Sequence, residues 1–265
     1  DGVYMDGTSV AWGCNSLAHG PCSVEQLNWD ENQVTSLVGT RNFMKRIRGI
    51  FDAKGKAMLV AHNGGALQIE TLSLCDSFYE GEQLSDVRYC RGYRLPLHSA
   101  AVCYSGRPWG FRLDVLANMI RPRYMMTYAA LHDAEVSGSE DLEALIYGDF
   151  QDEQTSYHPY WRPQPHVQLK RGKVLYSYYM KSGAAMLIVS NLTWDAQNTV
   201  LNVQGLFPDE LLTSAVHVES GQRVPIRQGR VSLKIPRHRF VALRIEPGVG
   251  NNPPESDHKK ASPVT

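Results

Sequence analysis

An excess of charge of either sign is missing from this chain: Lys plus Arg and Asp plus Glu each number 27, and no extended basic run occurs. Nucleic acid and other polyanions are therefore disfavoured as partners. Long apolar runs are missing too, and no segment has the length of a membrane span. Cysteine is scarce: five residues, at 14, 22, 75, 90 and 103, are too few and too scattered for a disulfide scaffold. Cys14 and Cys22 are near enough in sequence for a local bridge. With His19 they would supply three zinc ligands, but a fourth is lacking and the spacing fits no standard finger. No metal and no cofactor is expected. An initiator Met and a secretory signal are also absent; the chain opens on Asp1-Gly-Val-Tyr-Met-Asp6, as a processed product or an incomplete reading frame would.

What is present is enough apolar matter, 43% of 265 residues, for two ordinary domains. Residues 1–150 alternate short apolar runs with helical stretches, the pattern of βαβ units and a parallel sheet. Strands are expected at Val3–Met5, Ala57–Ala61, Asp76–Glu80, Pro96–Tyr104 and Met125–Leu131. Helices are expected over 32–53, stopped by Gly55, over about 66–73, and from 110 to about 120. Residues 151–165, rich in Pro and aromatics, read as a linker. From 166 to 247 the period changes to two, with turns at Ser182-Gly183, Ser220-Gly221 and Gln228-Gly229, as in an antiparallel sandwich. The tail, 248–265, is Pro, Ser, Asn and charge, a composition expected to be disordered.

Each of the five expected strands delivers polar or acidic residues at its C-terminal end: Asp6, His62 with Asn63, Glu80 with Glu82, Arg107 with Trp109, and His132 with Asp133 and Glu135. Asp, Asn and Ser at such positions also serve as turn formers and helix caps. In barrels of parallel strands, however, that end carries the site.

The opening Asp1-Gly-Val-Tyr-Met-Asp-Gly7 resembles the Asp-Gly-hydrophobic-Tyr-hydrophobic-Asp strand of barrel glycoside hydrolases. Phe78-Tyr-Glu-Gly-Glu82 is similar to a later strand of uncharacterised bacterial proteins of that kind, and Pro236-Arg-His-Arg-Phe240-Val-Ala-Leu resembles the close of the β-sandwich that follows their barrel. The resemblance covers most of residues 1–245 and implies an α/β fold: about strands four to eight of a (β/α)-barrel, then an all-β antiparallel sandwich. The first three units would then lie outside the chain. Either the chain is the C-terminal part of the protein, or self-association completes the barrel, because an open half-barrel exposes sheet edges.

Glycoside cleavage needs two carboxyl groups flanking the scissile bond. The resemblance implies the α-galactosidase-type layout, in which strand four supplies an Asp nucleophile and strand six the acid/base. Asp6 is then the nucleophile and Glu82 the acid/base, with Glu80 as its alternate on the same strand face. His62, Asn63, Arg107, Trp109, His132 and Asp133 are candidate sugar ligands. Trp12, Tyr79, Trp109 and Trp161 are candidate stacking surfaces. The expected strand-seven end holds Tyr104, Ser105 and Arg107 without a carboxylate, which argues against the cellulase-type clan.

The competing readings are a non-catalytic carbohydrate-binding or scaffolding protein, and a metal-dependent hydrolase using His62, His98, His132 and Asp133. A carbohydrate substrate favours the periplasm or the exterior. Asn191-Leu-Thr193 matches a glycosylation acceptor but reads as accidental.

Overall fold

Five strands run parallel in chain order: β1 (Gly2–Met5), β2 (Met58–His62), β3 (Ser77–Glu80), β4 (Arg112–Val115) and β5 (Glu135–Val136). The structure, a computed structural model, describes residues 2–6, 37–55, 58–62, 69–80, 112–115, 122–208 and 212–248. Among the described residues four helices accompany the sheet: α1 (Leu37–Lys54), α2 (Ile69–Leu72), α3 (Pro122–Ala129) and α4 (Glu140–Tyr147).

The sheet is two-faced because strand side chains alternate. Leu59 and Ala61 of β2 are buried against Met44 of α1. Phe78, Leu113, Val115 and Val136, from β3, β4 and β5, are buried with residues of α3 and α4. Asp114 and Glu135 are paired across the sheet and alternate with these apolar positions. One face is thus sealed by helices, and the other is left to polar side chains.

Two expected elements are corrected. Met125–Leu131 is not a strand: α3 occupies 122–129, and Met125, Met126, Tyr128 and Ala129 are all buried. A helix buried almost all round shows no polar stripe, so its apolar run resembles a buried strand. The fourth strand of the described sheet is Arg112–Val115, inside the stretch expected to be helical, and the fifth is the two-residue Glu135–Val136. Residues 96–104 lie outside the described residues, as do Cys14, His19 and Cys22 and the tail from 249. Helix α1 ends as expected, with Gly55 in the left-handed region at φ 82°.

Nine antiparallel strands follow: β6 (Ser156–His158), β7 (Gln168–Arg171), β8 (Leu175–Lys181), β9 (Ala184–Asn191), β10 (Gln197–Asn202), β11 (Ser214–His217), β12 (Arg223–Arg227), β13 (Arg230–Ile235) and β14 (Arg239–Ile245). They form one curled sheet in the order β6-β8-β9-β14-β11-β12-β13-β10-β7. Strand β6 arises within 151–165, the stretch read as a linker, and pairs with β8. The curl lets Leu187, Val189, Leu243 and Ile245 on one half meet Leu201, Val231 and Ile235 on the other.

Strand β9 has all eight residues buried. Alternation sends Ala185, Leu187 and Val189 into the sheet's own core, and Ala184, Met186 and Ile188 into the cluster that contains α3, α4 and the parallel sheet. That explains its unbroken apolar run: both faces are covered, as in a central strand. No helix of the described residues is long and apolar enough to cross a membrane.

Asn191 closes β9 and is fully buried. Its amide nitrogen donates to the carbonyls of Asp195 (2.9 Å), Ile235 (3.0 Å) and Pro236 (3.0 Å), and its Oδ1 accepts from Thr193 N (2.9 Å) and Thr193 Oγ1 (2.7 Å). A buried amide so engaged cannot reach a glycosyl donor, so the Asn-Leu-Thr motif is structural. Asn191→Ala removes the buried amide that joins these carbonyls, that of Ile235 among them, and is expected to cost about 2–3 kcal/mol in urea unfolding. An unchanged midpoint would show that those carbonyls recruit water.

Candidate active site

The polar face of the parallel sheet is organised around His62, the last residue of β2. Parallel register places β1 directly beside β2, with Tyr4 opposite Val60 and Met5 opposite Ala61, so Asp6 follows at the level of His62. His62 Nδ1 lies 2.9 Å from Asp6 Oδ1 and 2.8 Å from Tyr4 Oη. An ionised carboxylate can only accept, so the proton sits on Nδ1 and is directed at Asp6, with the Tyr4 oxygen sharing it. The His62 side chain is only 7% exposed whereas Asp6 is 76% exposed. A buried imidazole therefore orients a carboxylate that remains open to a ligand.

The next strands continue the row. Tyr79 of β3 is in register with His62 and with Asp114 of β4. Its ring stands edge-on to Tyr4 (5.9 Å) and to His62 (5.7 Å). Tyr79 Oη donates to Ser137 Oγ at 2.7 Å, and Ser137 Oγ donates to Asp114 Oδ1 at 3.3 Å. Asp6, Tyr4, His62, Tyr79, Ser137 and Asp114 thus form a polar strip across β1 to β5, reaching the strands' C-terminal ends. Tyr4, Asp114 and Ser137 were not singled out from the sequence. Tyr4 was read only as strand, and Asp114 fell in an expected helix.

Of the other expected site residues, Glu80 ends β3 in register with Val115, and its position has the parity of Phe78 rather than of Tyr79. Glu82, Asn63, Arg107 and Trp109 lie outside the described residues, as do Trp12 and His98. His132 and Asp133 belong to the turn after α3, on the N-terminal side of β5, because the strand expected to precede them is a helix.

That turn is tied to the antiparallel sheet. Tyr157 Oη (2.5 Å) and Ser177 Oγ (2.9 Å) donate to Leu131 O, Tyr179 Oη donates to Asp133 Oδ1 (2.5 Å), and Tyr147 Oη donates to Ala134 O (2.9 Å). Trp161 stacks on the His132 ring at 5.4 Å. Among the described residues no group of three His, Cys, Asp or Glu side chains is placed to hold a metal ion. Cys75 is a free thiol, its pKa pushed up to about 12 by burial and then by Asp76.

His132 is completely buried, and burial lowers its pKa from 6.5 to about 4. As a neutral ring it is satisfied at both ends: Nδ1–H donates to Tyr128 O (2.7 Å), and Nε2 accepts from Tyr160 Oη (3.3 Å). In the unfolded chain the ring binds a proton below about pH 6.5, while the folded protein resists until about pH 4, so acid favours unfolding between those values. His132 alone is expected to remove about 2 kcal/mol of stability between pH 7 and pH 5. Urea unfolding at both pH values, with His132→Gln as the reference, checks this. Equal pH sensitivity in the two proteins would count against it.

No family model matches the chain, and no curated protein matches it. Among solved structures, it is similar to a β-L-arabinopyranosidase from Geobacillus stearothermophilus, with 11% identity and a TM-score of 0.51 over 80% of this chain and 55% of that one. It is also similar to α-galactosidase I from Mortierella vinacea, with 10% identity and a TM-score of 0.51 over 79% of this chain and 63% of that one. The chain spans 55% and 63% of the lengths of those two proteins. At these identities the likeness is one of fold: the chain has a glycoside-hydrolase-like fold, with a parallel sheet followed by a large curled antiparallel sheet.

Proposed function

We propose that the protein is a glycoside hydrolase in which Asp6 is the nucleophile and Glu82 the acid/base; Glu80, the alternate, has the parity of the helix-covered face of β3 and is set aside. What carries the reading is the pair Asp6–His62: an exposed carboxylate at the C-terminal end of a parallel strand, held by a buried imidazole 2.9 Å away. Strands β1 to β5 run parallel in sequential order, which supports numbering them four to eight of a (β/α)-barrel. Residues 1–150 then form the catalytic part and 166–247 the sandwich.

The chemistry follows from that placement. The Asp6 carboxylate attacks the anomeric carbon as the leaving oxygen takes a proton from the carboxylic acid of Glu82. Water, deprotonated by that same carboxyl group, then releases the sugar. His62 keeps the second Asp6 oxygen fixed during attack, which favours a reactive geometry. Tyr4 and Tyr79, apolar discs with polar tips, flank the reacting sugar, and Asn63, which follows His62 in the chain, contributes beside them. His132 and Asp133 take no part, being engaged with the antiparallel sheet.

The similar structures carry the names of a β-L-arabinopyranosidase and an α-galactosidase, so aryl glycosides of arabinopyranose and galactose, in both anomeric forms, are the first substrates to assay. Release of the aryl alcohol by the unaltered protein, abolished in Asp6→Asn, supports the reading. Sugar binding without release by either protein would favour a carbohydrate-binding protein instead.

A further inference from the structure

The antiparallel sheet bears a groove of about 700 Å³, within the roughly 300–1,000 Å³ of small-molecule sites. It is lined by Arg171, Gly172 and Lys173 from the β7–β8 turn and by Thr193, Trp194, Asp195, Gln197 and Asn198 at the β9–β10 turn. Trp194 is 45% exposed, yet it is not a loose side chain. Its ring meets that of His238 edge-on at 4.7 Å. Its turn is pinned by Asn191 Nδ2 to Asp195 O (2.9 Å), by Thr193 Oγ1 to Asn191 Oδ1 (2.7 Å) and by Gln197 Nε2 to Thr193 Oγ1 (3.0 Å). The opposite wall is equally fixed. Gly172, at φ 106°, lies so close to Thr199 that a Cβ would fall 2.2 Å from Oγ1, and Thr199 Oγ1 donates to Arg171 O at 2.8 Å. The Lys173 amide is held by Gln197 Oε1 at 3.1 Å.

A rigid, half-exposed indole with amide and carboxylate neighbours suits a sugar ring, whose C–H face stacks while its hydroxyls are hydrogen-bonded. The charges sharpen the choice. Among the described residues Arg171 and Lys173 form no ion pair, and they outnumber Asp195, the one carboxylate among the groove's described lining residues. A cation such as Arg171 on edge strand β7 also discourages sheet-to-sheet addition, but that role calls for no fixed indole beside it.

We propose that this groove is a second carbohydrate site, selective for a saccharide carrying a carboxylate or sulfate, stacked on Trp194 with its anion between Arg171 and Lys173. It goes beyond the strand-end reading and uses none of its residues.

The test is calorimetric titration of the full chain with trigalacturonate, a sulfated galacto-oligosaccharide and neutral galactotriose. Expected are binding of at least one acidic sugar, weakening as salt rises, and a loss of about tenfold or more in Trp194→Ala. Arg171→Gln/Lys173→Gln should erase the preference over galactotriose and carries the same test should Trp194→Ala not fold. Asp6→Asn should bind these sugars as the unaltered protein does, so a failed hydrolase reading would leave this result standing. Binding that ignores both substitutions, preference for the neutral sugar, or no binding at all would overturn the proposal.

Discussion

Asp6→Asn is expected to reduce turnover of a cleaved aryl glycoside by about 10³-fold or more, the scale on which removal of a nucleophile acts. The substitution is nearly isosteric, and the amide oxygen can still accept from His62 Nδ1, so the fold and the 2.9 Å contact should survive. What disappears is the negative charge that forms the bond to the anomeric carbon. The loss should therefore fall on kcat, with sugar affinity little changed. His62→Ala is a milder lesion: the carboxylate remains but is free to rotate, and a loss of about 10–100-fold is expected. Combining the two changes should add little to Asp6→Asn alone, since orientation is worthless once the nucleophile has gone. Full activity in Asp6→Asn would place the nucleophile elsewhere. Asp114, on the same sheet face and hydrogen-bonded by Ser137, would be the next carboxylate to replace.

Much of this was legible in the sequence, and the exceptions share a physical cause. The strand ends at Asp6, His62 and Glu80 could be read because β1, β2 and β3 are bounded by polar residues or glycine, and because the amphipathic period of α1 leaves no other assignment for 37–54. The antiparallel part was legible from its two-residue period at Tyr176 and Tyr178 and from Gly183, Gly221 and Gly229 at its turns, all three of which have positive φ. The misreadings cluster where burial erases the pattern. Helix α3 is apolar almost all round, and β5 is two residues long, too short for any periodicity to register. The misreading of α3 displaced His132 and Asp133 to a strand end that does not exist; a separate one, of β4 as helix, hid Asp114. The contact between His62 and Asp6 was beyond reach because it spans 56 positions and depends on parallel register.

The same two-sided burial that obscures α3 implies that the parallel and antiparallel parts melt as one. Phe240 of β14, with under a tenth of its surface exposed, belongs to a single apolar cluster with Met126 of α3, Ile146 of α4, Phe78 of β3 and Ile188 of β9. Arg123 lies over its ring and is ion-paired with Glu219, next to β11, which adds a polar tie at the margin. Truncating such a ring removes its transfer energy and leaves a cavity that close-packed neighbours on both sides fill only partly. Phe240→Ala is expected to cost about 3–5 kcal/mol, against a total stability of roughly 5–15 kcal/mol for a domain. Because the ring belongs to both parts, the loss should appear as an earlier single transition, with near-ultraviolet circular dichroism and tryptophan fluorescence shifting together. Leu201→Ala, within the curled sheet's own core, is the control: it weakens the antiparallel part without opening the junction. If Phe240→Ala instead separated the unfolding into two steps, one of them matching the unaltered protein, the shared cluster would not be what couples the parts. The hydroxyl contacts of Tyr157, Ser177 and Tyr179 to residues 131–133 would then have to supply the coupling.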